Sequence, residues 1–186
     1  MIHMQQMAPK KQRGLVLVTS LLMLVVVTLL AVALFRSFGS DEKIAGNTRE
    51  KHRALNAAET AEQAAEAWLA NGNGVVAVNC TAVVIYPASQ ICNTTMQSAS
   101  IDPAVLPWAA GVSYTAPTMV TGSTGAGTYI NPPQYYIAFL GSKAVGLNTV
   151  SYFQIDAVGY GANANAAAVV EATYTTAAKT SLLSGP

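Results

Sequence analysis

No residue from Leu15 to Phe35 carries a charge, and this apolar run of 21 positions constrains the chain more than any other feature. About 20 apolar residues cross a bilayer as a helix, because only a helix satisfies its own backbone polar groups in lipid. Thr19, Ser20 and Thr28 are the polar members, and such hydroxyls bond back to helix carbonyls. Lys10, Lys11 and Arg13 precede the run while Arg36 alone follows directly, so the N-terminus is expected to stay cytoplasmic. Three readings remain at this point. The run is a plain signal anchor; or a secretory signal cut at Ala31-Val32-Ala33, although it is long for that; or an anchor behind a short basic leader that ends at Gly14.

Charge falls unevenly over the 186 residues. Charged residues are 10% of the chain, against roughly 25% in ordinary soluble domains. Most cluster between Arg36 and Glu66; beyond that stand only Asp102, Lys143, Asp156, Glu171 and Lys179. The C-terminal part is rich in Ala, Gly, Thr, Asn, Val and Tyr, which suits a secreted or surface β-domain. The net charge of +1 offers no basic face for nucleic acid. Cys80 and Cys92 lie too far apart for a Cys-x-x-Cys site. In an oxidising compartment the pair is most simply a disulfide; the alternative is two unrelated buried thiols.

Thr48 to Ala70 has helical composition. Ala54, Ala58, Ala61, Ala65 and Trp68 recur every three or four residues, with Leu55 and Leu69 beside them. Small residues on this stripe let a sheet approach closely. Asn71-Gly72-Asn73-Gly74 ends the helix, and Gly39 and Gly46 mark either a bend or a helix contact. Strands are expected over 75–78, 83–86, 112–115, 135–140, 152–158 and 169–175. Gly159-Tyr160-Gly161 and Asn163-Ala164-Asn165 read as turns, and 121–134 as a Pro- and Gly-rich loop. The expected fold is α+β: a long N-terminal helix packed on an antiparallel sheet. Its expected parts are a leader (1–14), a transmembrane or filament-core helix (15–35), an amphipathic continuation and turn (36–74), and a periplasmic β-domain (75–186).

The leader ending Lys-Lys-Gln-Arg-Gly directly before the apolar run resembles the signal of type IV prepilins. The following Glu42, Ala45-Gly46-Asn47, Arg49, Ala54, Ala57-Ala58-Glu59 and Ala64-Ala65-Glu66 resemble the PilX family of minor pilins. A fainter likeness lies in FQIDAVGYG and AAVVEATY. The resemblance implies a pilin fold and cleavage by prepilin peptidase between Gly14 and Leu15, with N-methylation of Leu15. It also implies a role in pilus assembly and adhesion. Implied partners are the inner-membrane assembly platform, major and other minor pilins, a PilY-type tip adhesin and the membrane itself. Thr19 departs from the family, whose members mostly carry Glu at this fifth position after the cut. There the carboxylate is thought to neutralise the N-terminal amine of an adjacent subunit. A subunit with no tip-side neighbour has no such amine to meet, so Thr19 points to a tip or priming position. A minor pseudopilin of type II secretion would share these features.

Catalysis is not expected. His3 sits in the leader and His52 on the charged helix, so a nucleophilic triad has no base in the domain. Asp102, Asp156 and Glu171 are isolated in sequence and show no metal-ligand spacing. Residues 122–127 imitate a phosphate loop but lack its Lys and helix. No cofactor is expected. The alternative from another class is a membrane-tethered binding domain that never polymerises.

Overall fold

Alternation along two long strands decides where the second half of α1 lies. The computed structural model describes residues 13–74, 76–122, 127–146 and 148–179. Most of the expected leader, Val75 and the centre of the 122–127 loop fall outside these. α1 runs from Arg13 to Trp68 and keeps helical backbone through Gly39 and Gly46. The chain divides into two units, Met1–Gly46 and Asn47–Pro186. In the first, Leu15–Phe35 has a mean hydropathy of 3.0 and no buried side chain.

In the second unit α1 meets a 7-stranded sheet. Its strands are β1 (Ala77–Val78), β2 (Val83–Ile85), β3 (Ile91–Cys92), β4 (Gly111–Ser113), β5 (Gln134–Val145), β6 (Asn148–Tyr160) and β7 (Ala167–Lys179). β5, β6 and β7 form an antiparallel meander, with β6 in the middle. Two short ladders hang on the other side of β5. β4 pairs antiparallel with its start and carries β2 in parallel. β3 pairs parallel with it at Ala138 and carries β1 in parallel. The α+β arrangement is as expected, while the sheet is mixed rather than wholly antiparallel. Its parallel pairings are one to three residues long, too short to show in a hydrophobic pattern.

Side chains alternate across a strand. Phe153, Ile155 and Ala157 of β6 share a face with Tyr135 and Ile137 of β5, and all are buried against Ala61, Ala65 and Leu69. Ala54, Ala57 and Ala58 extend this buried helix stripe. Trp68 is partly buried at its end, packed on the same core. Gly159 continues the helix-facing row of β6. A Cβ there would overlap the Ala54 carbonyl oxygen and the Ala58 amide nitrogen, and would lie 2.8 Å from the Ala57 carbonyl carbon. Helix and strand thus touch backbone to backbone. This corrects the expectation of a turn at Gly159-Tyr160: both belong to β6, and the turn follows at 161–166.

The opposite face carries Tyr136, Ala138, Val158 and Tyr160, covered by Met96, Trp108 and Ala110 from the β3–β4 loop. Buried Gln134 fastens that loop. Its Oε1 accepts from the Trp108 amide at 3.0 Å and from the Tyr160 hydroxyl at 3.4 Å; its Nε2 donates to the Trp108 carbonyl at 3.4 Å. The Tyr136 hydroxyl donates to the Thr94 carbonyl at 2.9 Å. Cys80 and Cys92 form a disulfide at the base of this layer. Closing a loop of this size stabilises by on the order of 3 kcal/mol.

Other differences are local. α1 ends at Trp68 in a single π-turn, Leu69–Asn73, where Gly72 takes a φ of 82°. Glycine enters that left-handed region without steric cost. The Asn73 Nδ2 donates to the Trp68 carbonyl at 2.8 Å, capping an orphan acceptor. β5, β6 and β7 exceed their expected bounds because the ladder continues into polar residues. β3 was not expected at all; two residues are too short to show a period.

Gly159→Val should destabilise the folded domain by about 3 kcal/mol or more, because the new side chain meets backbone that cannot yield. Urea denaturation of the full chain in detergent reads this as a lowered midpoint with an unchanged slope.

Candidate assembly surface

Every polar side chain of the apolar run is satisfied within its own helix. The Thr19 hydroxyl reaches the carbonyls of Leu15 at 3.1 Å and Val16 at 3.0 Å. Ser20 donates to the Leu17 carbonyl at 2.9 Å and Thr28 to the Val25 carbonyl at 2.8 Å. Hydroxyls bonded this way enter an apolar environment with little penalty. The run therefore offers lipid, or other helices, a surface with no charge and no side-chain donor that needs an outside partner. Gly14 and Leu15 lie in the first turn of α1, and Leu15 is exposed.

In the second unit the helix is tied to two loops. Glu50 Oε2 accepts from the Ala162 amide at 2.6 Å, and Oε1 pairs with Arg53 Nη1 at 3.0 Å. Arg53 Nη2 donates to the Thr128 carbonyl at 2.6 Å, and the guanidinium lies 4.8 Å from the centre of the Tyr129 ring. The Ile130 amide donates to the Gly161 carbonyl at 2.9 Å, which joins the two loops to each other. Gly161 is required here by space: a Cβ would sit 2.8 Å from Glu50 Oε2. The Ala162 hydrogen bond holds the Glu50 carboxyl below its ordinary range. Desolvation opposes that, and Arg53 and Arg49 reinforce it. Sequence reasoning missed this clamp. Charged residues three apart on a helix signal only a surface pair.

Asp102, Asp156 and Glu171, scattered in sequence, line one cavity of about 550 Å³ on the sheet face away from α1. Asp156 is only 6% exposed and pairs across the strands with Glu171. Gln154 Nε2 bridges its two oxygens at 3.1 and 3.2 Å. Burial pushes Asp156 up, Gln154 opposes this, and Glu171 adds to it. Among the described residues no three His, Cys, Asp or Glu side chains are placed to hold a metal ion. His52 is exposed on α1, and His3 lies outside the described residues. The first unit thus presents an uncharged apolar helix surface, and in the second unit the domain is fastened to its own stretch of helix.

One helix with a membrane-length apolar run, whose later turns cover a sheet, fits a membrane-anchored protein of pilin type. Residues 13–61 match the PilX N-terminal family, and residues 64–176 match the C-terminal region of type IV pilus assembly protein PilX. The chain belongs to the PilX family of type IV pilus minor pilins, structural components of the pilus. No curated protein and no solved structure matches it significantly.

Glu50 yields a pH prediction. Its folded pKa is lowered from 4.5, so its stabilisation is fully present above that value and is lost as pH falls through the folded pKa. Glu50→Gln should cost about 1 kcal/mol near neutrality, less than the roughly 1.5–3 kcal/mol of a buried charge-assisted hydrogen bond because solvent screens this part-exposed site. The variant's stability should also fall less than that of the parent between pH 5 and pH 3. Thermal unfolding across that range measures both effects.

Proposed function

We propose that the chain is a minor pilin at, or priming, the tip of a type IV pilus, made competent by cleavage between Gly14 and Leu15 and by N-methylation of Leu15. The observation that carries the tip position is Thr19. Its hydroxyl is spent on its own helix, at Leu15 and Val16. It therefore supplies no negative charge for the amine of a subunit packed above it. An ammonium buried without a counter-charge is costly, so such a subunit is disfavoured there. At a tip that place is empty and the neutral residue costs nothing.

The remaining features fit this reading. The basic residues before Leu15 favour a cytoplasmic leader and a periplasmic domain. The Cys80–Cys92 disulfide suits that oxidising compartment. The satisfied apolar helix can pass from lipid into a bundle of other pilin helices. Prepilin peptidase, the inner-membrane platform, other pilins and a PilY-type adhesin are the expected partners. The family match favours a pilus over a type II secretion machine.

N-terminal mass spectrometry of sheared filaments should find a chain that begins at methylated Leu15, and Gly14→Val should abolish that species. A mature protein that still begins at a methionine overturns the processing reading.

Deleting the protein should reduce the number of pili more than their length, because initiation and not elongation suffers. Immunogold labelling should be confined to filament ends, and Thr19→Glu should let the subunit enter the shaft. Labelling spread evenly along wild-type filaments overturns the tip position.

A further inference from the structure

Among the described residues the meander ends on an edge with no partner strand. β7 spans 13 residues, Ala167–Lys179, and among the described residues it pairs with β6 alone. Its register with β6 runs from Tyr160↔Ala167 to Asn148↔Lys179 without a bulge. It contains no proline and no glycine, and from Ala167 to Ala178 its one charge is Glu171. Natural sheets guard long edges with bulges, prolines, repeated charges or a covering element. None of the first three occurs here, and the edge presents about 43 Å of backbone donors and acceptors at the usual rise per residue.

We propose that β7 is the contact surface of a two-fold dimer, in which it pairs antiparallel with β7 of a second copy of this chain in the membrane before assembly. Length selects the occupant. The sheet's other edge strands, β1 and β2, have 2 and 3 residues and cannot match this edge. A second β7 matches it from end to end, and one isologous contact closes both edges at once. Full overlap puts the axis at the midpoint, so Thr173 faces Thr173 and Glu171 faces Thr175. Threonine pairs are favourable across strands, and no like charges oppose each other between the two Glu171 residues.

The test uses the full-length chain in membranes of cells that make it. Cys80 and Cys92 are bonded to each other, so an introduced thiol is the one available for oxidation. Single substitutions to Cys are made at the exposed positions Val169, Glu171, Thr173, Thr175 and Ala177, with Val76 on the far side of the sheet as reference. Mild oxidation should shift Thr173→Cys to twice the monomer mass on a non-reducing gel, with weaker shifts on either side. Glu171→Cys and Thr175→Cys, made together in one cell, should cross-link to each other. Thr173→Lys sets two ammonium groups opposite each other and should abolish dimers trapped by a lysine-independent chemical cross-linker. Shifts no stronger than that of Val76→Cys overturn the proposal. Cross-links from β7 to other pilus proteins, with none between copies, overturn it as well and assign the edge to a different subunit. The readout is taken before filament entry, so it is separable from the tip position.

Discussion

Backbone meets backbone where Gly159 of β6 lies under Ala54, Ala57 and Ala58 of α1, and the rest of the domain depends on that approach. Side chains larger than alanine on the helix, or any side chain on Gly159, would lift the helix from the sheet. Phe153, Ile155 and Ile137 would then lose the contacts that bury them. From Ala54 to Ala65 the bulky core residues stand on the sheet and the helix contributes a nearly smooth surface; Leu69 and Trp68 enter the core only at its end. Dispersion at this short range is strong because both partners present densely packed atoms.

The sheet is held between unlike layers. On one side lies a regular helix; on the other lies an irregular loop, carried by Trp108 and Met96 and fastened through Gln134. An irregular layer leaves backbone groups without ladder partners, which is why a buried glutamine with two polar ends is useful there. The disulfide acts at the start of the same loop. The clamp of Glu50 and Arg53 fastens two further loops to the helix. Loops that would otherwise fray are thereby tied to the most regular element of the fold.

How much of this could be read beforehand depended on sequence distance. The apolar run, the alanine stripe and the glycine-rich helix end are local patterns, and each was legible. Ala57 was not, because in an alanine-rich helix the margin of the buried stripe has no contrast. The central strands announced themselves through aromatic and β-branched residues, as in Tyr152–Val158. Their true ends did not, because pairing partners and not composition extend a ladder into Asn148 and Thr149. The clamp was invisible for a stronger reason. Arg53 finds its acceptor 75 residues away, and Glu50 its donor 112 residues away. Gly159 looked like punctuation because glycine in a strand and glycine in a turn are identical in sequence; only the helix pressing on it tells them apart.

The fully satisfied apolar run also sets the order of events under force. Drawing 21 such residues out of lipid into water would cost on the order of 30 kcal/mol, at roughly 1.5–3 kcal/mol for each large side chain. A domain of this size unfolds for about 5–15 kcal/mol. Pulled against its anchor, the protein would denature before it let go of the bilayer. Any transfer of this helix is therefore far cheaper made sideways, from one dry surface directly to another, than through water.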